Sequence, residues 1–187
     1  MRRYARGIAY AATGRVAEAK QEQTAFRAAV KRVPETSFLF QNPSLNILGV
    51  AEAMLDGEIA YRKGDYPTAF ARLEHAVELD DGLNYDEPWG WMQPARHALG
   101  ALLLEQDHLQ KAKAVYREDL KLHPHNMWAL HGLEECLRRQ DKTAEADAVL
   151  VKFKKASARA DVDVDRSCFC RLETKCGESC DTKAEAN

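Results

Sequence analysis

The chain has 187 residues, 45% hydrophobic and 30% charged, with a formal net charge of −2. That length suits one domain, and the balance suits a packed core beneath a charged, helix-rich surface. No basic block resembles a nucleic-acid footprint, and no apolar run approaches the ~20 residues that span a bilayer.

Met1-Arg2-Arg3-Tyr4 is positively charged, but Ile8 to Ala12 is too short for a signal-peptide core. Tyr4 to Ala12 reads instead as a first helix, with Gly7 allowing close approach. Gly14-Arg15 makes a turn, and a second helix runs from Val16 through Ala19 to about Arg32, with Pro34 beyond its end. Thr36 to Asn46 breaks the rhythm: Ser37-Phe38-Leu39-Phe40 is apolar, Asn42-Pro43 signals a turn, and Ser44 is placed to cap the next helix. That long helix is expected over Leu45–Lys63, carrying Leu48, Ala51, Leu55 and Ile59 near helical spacing. Gly64-Asp65-Tyr66 turns the chain, Ala69, Leu73 and Ala76 mark the return helix, and Asp80-Asp81-Gly82 ends it. Leu83 to Gln93 then concentrates aromatics and carboxylates in a Pro/Gly-punctuated loop. Further helices are expected over roughly 94–106, 109–122, 127–139 and 143–157. Past Arg159, Asp161-Val162-Asp163-Val164-Asp165 has no helical period. Apart from Cys168 to Cys170 the remainder is polar, so 159–187 is expected to be a disordered tail.

A repeat underlies this order. Leu99-Gly100, Leu103, Leu109, Ala112, Tyr116 and Leu120 return 34 positions later as Leu133-Glu134, Leu137, Thr143, Ala146, Leu150 and Lys154. The turn glycines Gly14 and Gly64 are 50 positions apart, and Gly64 lies 43 before the equivalent Asp107, so insertions fall at about 33–44 and 80–93. A 34-residue period, with a small residue where two helices cross, resembles the tetratricopeptide (TPR) hairpin. The expected fold is all-α: a right-handed solenoid of about four antiparallel hairpins (2–32, 45–79, 94–122 and 127–157) in one domain over 1–158. Leu73 to Gly100, Trp128-Ala129-Leu130-His131-Gly132-Leu133, and Ala160-Asp161-Val162 with Ser167-Cys168-Phe169-Cys170 are similar to the C-terminal part of larger, uncharacterised bacterial-type TPR proteins. Those relatives usually carry more repeats in front, so the chain is expected to be a fragment or shortened form.

The resemblance implies a binding surface and no reaction. The first helix of each hairpin would line an inner face bearing Tyr4, Glu58, Tyr61, Arg62, His97, Glu105, Trp128, His131, Glu135, Arg138 and Arg139. Mixed charges with aromatic anchors suit an extended peptide or a partner helix. TPR proteins that grip acidic chaperone tails use a Lys/Asn/Arg clamp. Here Tyr61, His97, Ala101, His131 and Glu135 stand instead, which argues against such a partner.

The loop residues Tyr85, Asp86, Glu87, Trp89 and Trp91 form a second candidate, although packing of the indoles into the irregular seam is the stronger expectation. His123 and His125 lack an evident third ligand, and Cys136 fits an apolar helix face. The tail cysteines Cys168, Cys170, Cys176 and Cys180 could hold zinc or act in redox chemistry, but one residue between the first pair is short for a structural zinc site. No catalytic constellation or phosphate-binding Gly loop is present, so no enzyme activity and no cofactor are expected. The expectation is a non-catalytic, cytoplasmic TPR scaffold binding a protein or peptide, with a metal-binding or redox-responsive tail as the alternative. Neither nucleic acid nor membrane is an expected partner.

Overall fold

The structure is a computed structural model that describes residues 1–172. These residues are mostly helical, with eight α-helices: α1 (Arg2–Ala12), α2 (Val16–Val30), α3 (Ser44–Arg62), α4 (Tyr66–Asp81), α5 (Ala95–Glu105), α6 (Leu109–Leu122), α7 (Met127–Arg138) and α8 (Thr143–Ser157). Consecutive helices pack as the pairs α1–α2, α3–α4, α5–α6 and α7–α8. Contacts of α3 with α1 and α2, of α4 with α5, and of α7 with α5 and α6 join the pairs.

The four turns share one construction. Each closes on a residue in the left-handed region: Gly14 (φ 76°), Gly64 (φ 80°), Asp107 (φ 61°) and Asp141 (φ 58°). The next N–H then reaches back to a helix carbonyl, Arg15 to Tyr10 at 2.8 Å, Asp65 to Ala60 at 3.0 Å, His108 to Leu103 at 2.9 Å and Lys142 to Leu137 at 3.0 Å. This satisfies carbonyls that a helix end leaves bare. Five positions after each turn residue sits a buried alanine: Ala19, Ala69, Ala112 and Ala146. Seven positions before it sits Gly7, Gly57, Gly100 or Glu134. A Cβ added at Gly57 or Gly100 would stand 2.7 Å from Leu73 or Tyr116 on the returning helix. The sequence period is therefore the register at which paired helices cross. In the last pair, where Glu134 replaces glycine, Gly132 makes the close approach instead, against Tyr116 of the preceding pair.

The two aspartates do at their turns what glycine does without a Cβ. Asp141→Gly should therefore raise stability by about 0.5 kcal/mol, less any entropy the flexible unfolded glycine adds. Asp107→Gly should gain less, because Asp107 forms an ion pair with Arg139. Denaturant midpoints of the two variants, compared at constant m-value, check the ordering.

Two features depart from the expected arrangement. Within the first insertion, β1 (Phe38–Leu39) and β2 (Asn42–Pro43) form a short antiparallel ladder. Its Asn42 is buried and locks onto the second insertion, accepting from the Asn84 N–H at 2.7 Å and donating to the Asn84 carbonyl at 3.0 Å. The second departure lies at the start of the expected tail. Residues 160–172 contain no helix, yet Ser167, Cys168 and Arg171 are buried. Average polarity concealed a short stretch whose polar groups find partners on the helices. Residues 173–187, with Cys176 and Cys180, lie outside the described residues. Among the described residues no helix is long and apolar enough to cross a membrane.

Candidate functional site

Residues 166–172 cross α3, α5, α6 and α7. The Tyr116 hydroxyl and Ser167 Oγ are hydrogen-bonded at 2.6 Å. Gln93 Nε2 donates to Cys168 Sγ at 3.5 Å, and the Cys170 N–H donates to the same sulfur at 3.3 Å. Arg62 donates to the Cys170 carbonyl. Arg171 grips Glu135 through both carboxylate oxygens, at 2.7 and 3.2 Å. The Phe169 ring meets Trp128 edge-on, with centroids 5.3 Å apart. Backbone, charge and ring contacts thus alternate along the segment, as they do when an extended peptide is recognised.

The residues expected on the inner face divide accordingly. Arg62, Trp128 and Glu135 hold this segment. Arg62 also donates to Glu58 at 2.8 Å, while burial pushes the Glu58 carboxyl up and the guanidinium opposes that shift. Tyr61 is buried and donates to Glu105, with Gln106 donating to its hydroxyl at 2.8 Å; burial raises the phenol pKa. Tyr4 is half-buried and sets its ring against Trp91, centroids 5.4 Å apart. Arg139 donates to the Leu104 carbonyl at 2.9 Å. His131 and Arg138 turn toward α8 instead: His131 faces Phe153 at 5.7 Å, and Arg138 pairs with Glu134 at 2.6 Å and Asp147 at 3.0 Å. Trp128 and Arg138 therefore do not share one patch.

Beside the segment is a cavity of about 690 Å³, walled by Trp89, Met92, His97, His123, Trp128 and Phe169 among others. Asn126 organises its floor. Its side-chain oxygen caps α7 by accepting from the Trp128 N–H at 3.1 Å, and its amide donates to Asp119 at 2.7 Å and also meets His97 Nε2. Burial lowers the His97 pKa from 6.5, against the opposing pull of Asp119, and burial lowers that of His131 likewise. As pH falls through 6.5 the unfolded chain takes up protons that the folded imidazoles resist, so stability should fall. Glu58, raised by burial, contributes in the opposite sense. His97→Gln should flatten the decline in melting temperature between about pH 7 and about pH 5; an unchanged slope would remove His97 as a source.

The loop splits as its two indoles do. Trp91 is buried; Trp89 is 44% exposed and leans on His123 with centroids 4.6 Å apart. Asp86 is buried and accepts from the Gln41 N–H at 3.2 Å, whereas Tyr85 and Glu87 are exposed and pair with each other. Among the described residues no three His, Cys, Asp or Glu side chains are placed to hold a metal ion. Cys136 is buried, its thiol pushed up to about 12 by burial. Cys168 is shifted down by its hydrogen bonds with Cys170, while burial drives Cys170 up.

From sequence, Ser167 and Phe169 are named only within the stretch that resembles larger TPR proteins, and Arg171, Asn126 and Asp119 receive no role. Asp119 carried a signal: it lies seven residues after Ala112, on the apolar stripe of α6, where a carboxylate is out of place. Compared with known protein families, curated proteins and solved structures, the chain matches none.

Proposed function

We propose that the chain is a non-catalytic repeat scaffold, a right-handed TPR-type solenoid that binds an extended protein segment on its inner face. The crossing register of the paired helices supports the repeat assignment. One observation supports the binding role: residues 166–172, an irregular stretch of chain, dock on Arg62, Trp128 and Glu135, three of the residues expected on that face. Residues 166–172 act in this reading as a resident occupant that an incoming segment replaces. Such a segment would offer an aromatic side chain for Trp128 and, two positions on, an arginine for Glu135.

A labelled peptide copying residues 163–172 tests the proposal by fluorescence anisotropy. Full-length Arg171→Ala, whose own segment is loosened, should bind the peptide more tightly than the unaltered chain does. Adding Glu135→Ala should weaken that binding by about tenfold or more, as loss of a charged, two-point contact does. Equal or absent binding to both variants would overturn the reading. A redox- or metal-responsive tail is the second reading, favoured by the two donors aimed at the Cys168 sulfur. Metal content of protein purified without added zinc distinguishes it.

A further inference from the structure

A second cavity, of about 410 Å³, lies where the loop after α4 meets the start of α5 and the end of α6. Its walls carry four carboxylates, Asp80, Asp81, Asp86 and Asp119, and one guanidinium, Arg96. Arg96 is committed to Asp81 in a two-point ion pair. Asp80 accepts from the Ala95 N–H at 2.9 Å, and Asp86 from the Gln41 N–H at 3.2 Å, so neither has a cation of its own.

Asp119 is the telling member. It is 1% exposed, its Oδ2 accepts from Asn126 at 2.7 Å, and its Oδ1 stands 3.9 Å from His97 Nε2, beyond hydrogen-bond distance, with no hydrogen-bond donor. Buried carboxylate oxygens are ordinarily supplied with donors, because a bare one is costly in a low-dielectric interior. The buried indole N–H of Trp91, on the same wall, is also unpartnered. The half-exposed ring of Trp89 stands on that wall as well. The carboxylates do not converge on a point as metal ligands would. They are spread along a cavity large enough for a side chain.

We propose that this cavity binds an organic cation, an alkylammonium or guanidinium group that donates to Asp119 Oδ1. Asp80 and Asp86 balance its charge, and the Trp89 ring covers its face or stem, a placement that suits cation–π attraction. The Trp91 N–H is then free to donate to an acceptor on the same ligand. No residue of the 166–172 segment lines this cavity, although Trp89 and His123 wall both cavities, so the proposal does not rest on the inner-face reading.

The cation could arrive on a free amine or on a basic residue of a peptide. Calorimetric titration of the full chain with agmatine and with N-acetylarginine methylamide separates the two sources, with N-acetylleucine methylamide at matched ionic strength as the control. Saturable binding of at least one cationic probe, and none of the control, is expected. Tighter binding of the amide derivative assigns the site to a peptide side chain; tighter binding of agmatine assigns it to a free amine. Asp119→Asn, which keeps an acceptor for Asn126, should weaken binding about tenfold or more. Should that variant misfold, Asp80→Asn and the surface change Trp89→Ala carry the test, and each should weaken binding severalfold. No saturable binding to the unaltered chain, or affinity unchanged in every folded variant, overturns the proposal. Binding of the 163–172 peptide should be unaffected by Asp80→Asn, which lines this cavity and not the one beside the segment, so failure here is distinguishable from failure of the inner-face reading.

Discussion

Replacing Tyr116 with alanine should lower stability by about 3–5 kcal/mol, as loss of a buried aromatic ring does. The ring is 0% exposed and fills the space between two glycines on different helices. A Cβ at Gly100 would stand 2.7 Å from it, and one at Gly132 would stand 2.3 Å from it. α5, α6 and α7 therefore meet on this one side chain, and its removal opens a cavity that none of the three can close without shifting. Tyr116→Phe keeps the ring and loses the hydrogen bond to Ser167, so it should cost only about 1 kcal/mol. Gly132→Ala approaches the same contact from the other side and should cost about 1–3 kcal/mol by overpacking. Denaturant unfolding of the three variants gives the ranking. A Tyr116→Ala cost no larger than that of Tyr116→Phe would mean that the ring is not the wedge described.

Glu135→Ala should be the second large effect. Arg171 is 5% exposed, and Glu135 is its carboxylate partner. Removing one member of a fully buried pair commonly costs about 3–5 kcal/mol, and the cost here is lower because the Glu135 side chain is 24% exposed and is shared with Arg139. Here the loss has a ceiling. The segment bearing Arg171 is not part of a helix and can detach, so the cost cannot exceed what holds residues 166–172 in place. The variant should therefore show a modest fall in melting temperature together with release of the segment. Cys168, buried in the native chain, reports that release, and its alkylation by iodoacetamide should accelerate at least about tenfold as the open population rises. Exchanging the pair as Glu135→Arg with Arg171→Glu should restore much of the protection. Unchanged alkylation in Glu135→Ala would show that the ion pair does not anchor the segment. By the same logic, deleting residues 160–187 should lower stability, contrary to what the polar composition of that stretch implies.

The helices and turns were legible because their causes are local. Apolar spacing along α3 to α8, a glycine or aspartate able to take a left-handed dihedral at each turn, and an alanine five positions later set where hairpins form and how their helices cross. Even the irregularity at Glu134 was visible as a missing glycine, although nothing in the sequence said that Gly132 would serve instead. The candidate site was legible only in part. Arg62, Trp128 and Glu135 have the right types at the right helical positions, but their partners lie far along the chain: Cys170 is 108 residues from Arg62, and Arg171 is 36 from Glu135. Periodicity carries no information about such pairings, and a short irregular segment that docks through scattered polar contacts has the composition of one that does not dock. The same holds for Trp89 and Trp91, whose different burial is set by Tyr4 and His123 rather than by the loop. Helix period and turn chemistry act over a few residues, so the order of amino acids alone specified the helices and the tight turns that pair them. The docking of residues 166–172 and the Asp119 oxygen without a hydrogen-bond donor depend on contacts between distant parts of the chain, and they emerged only when the helices were packed together.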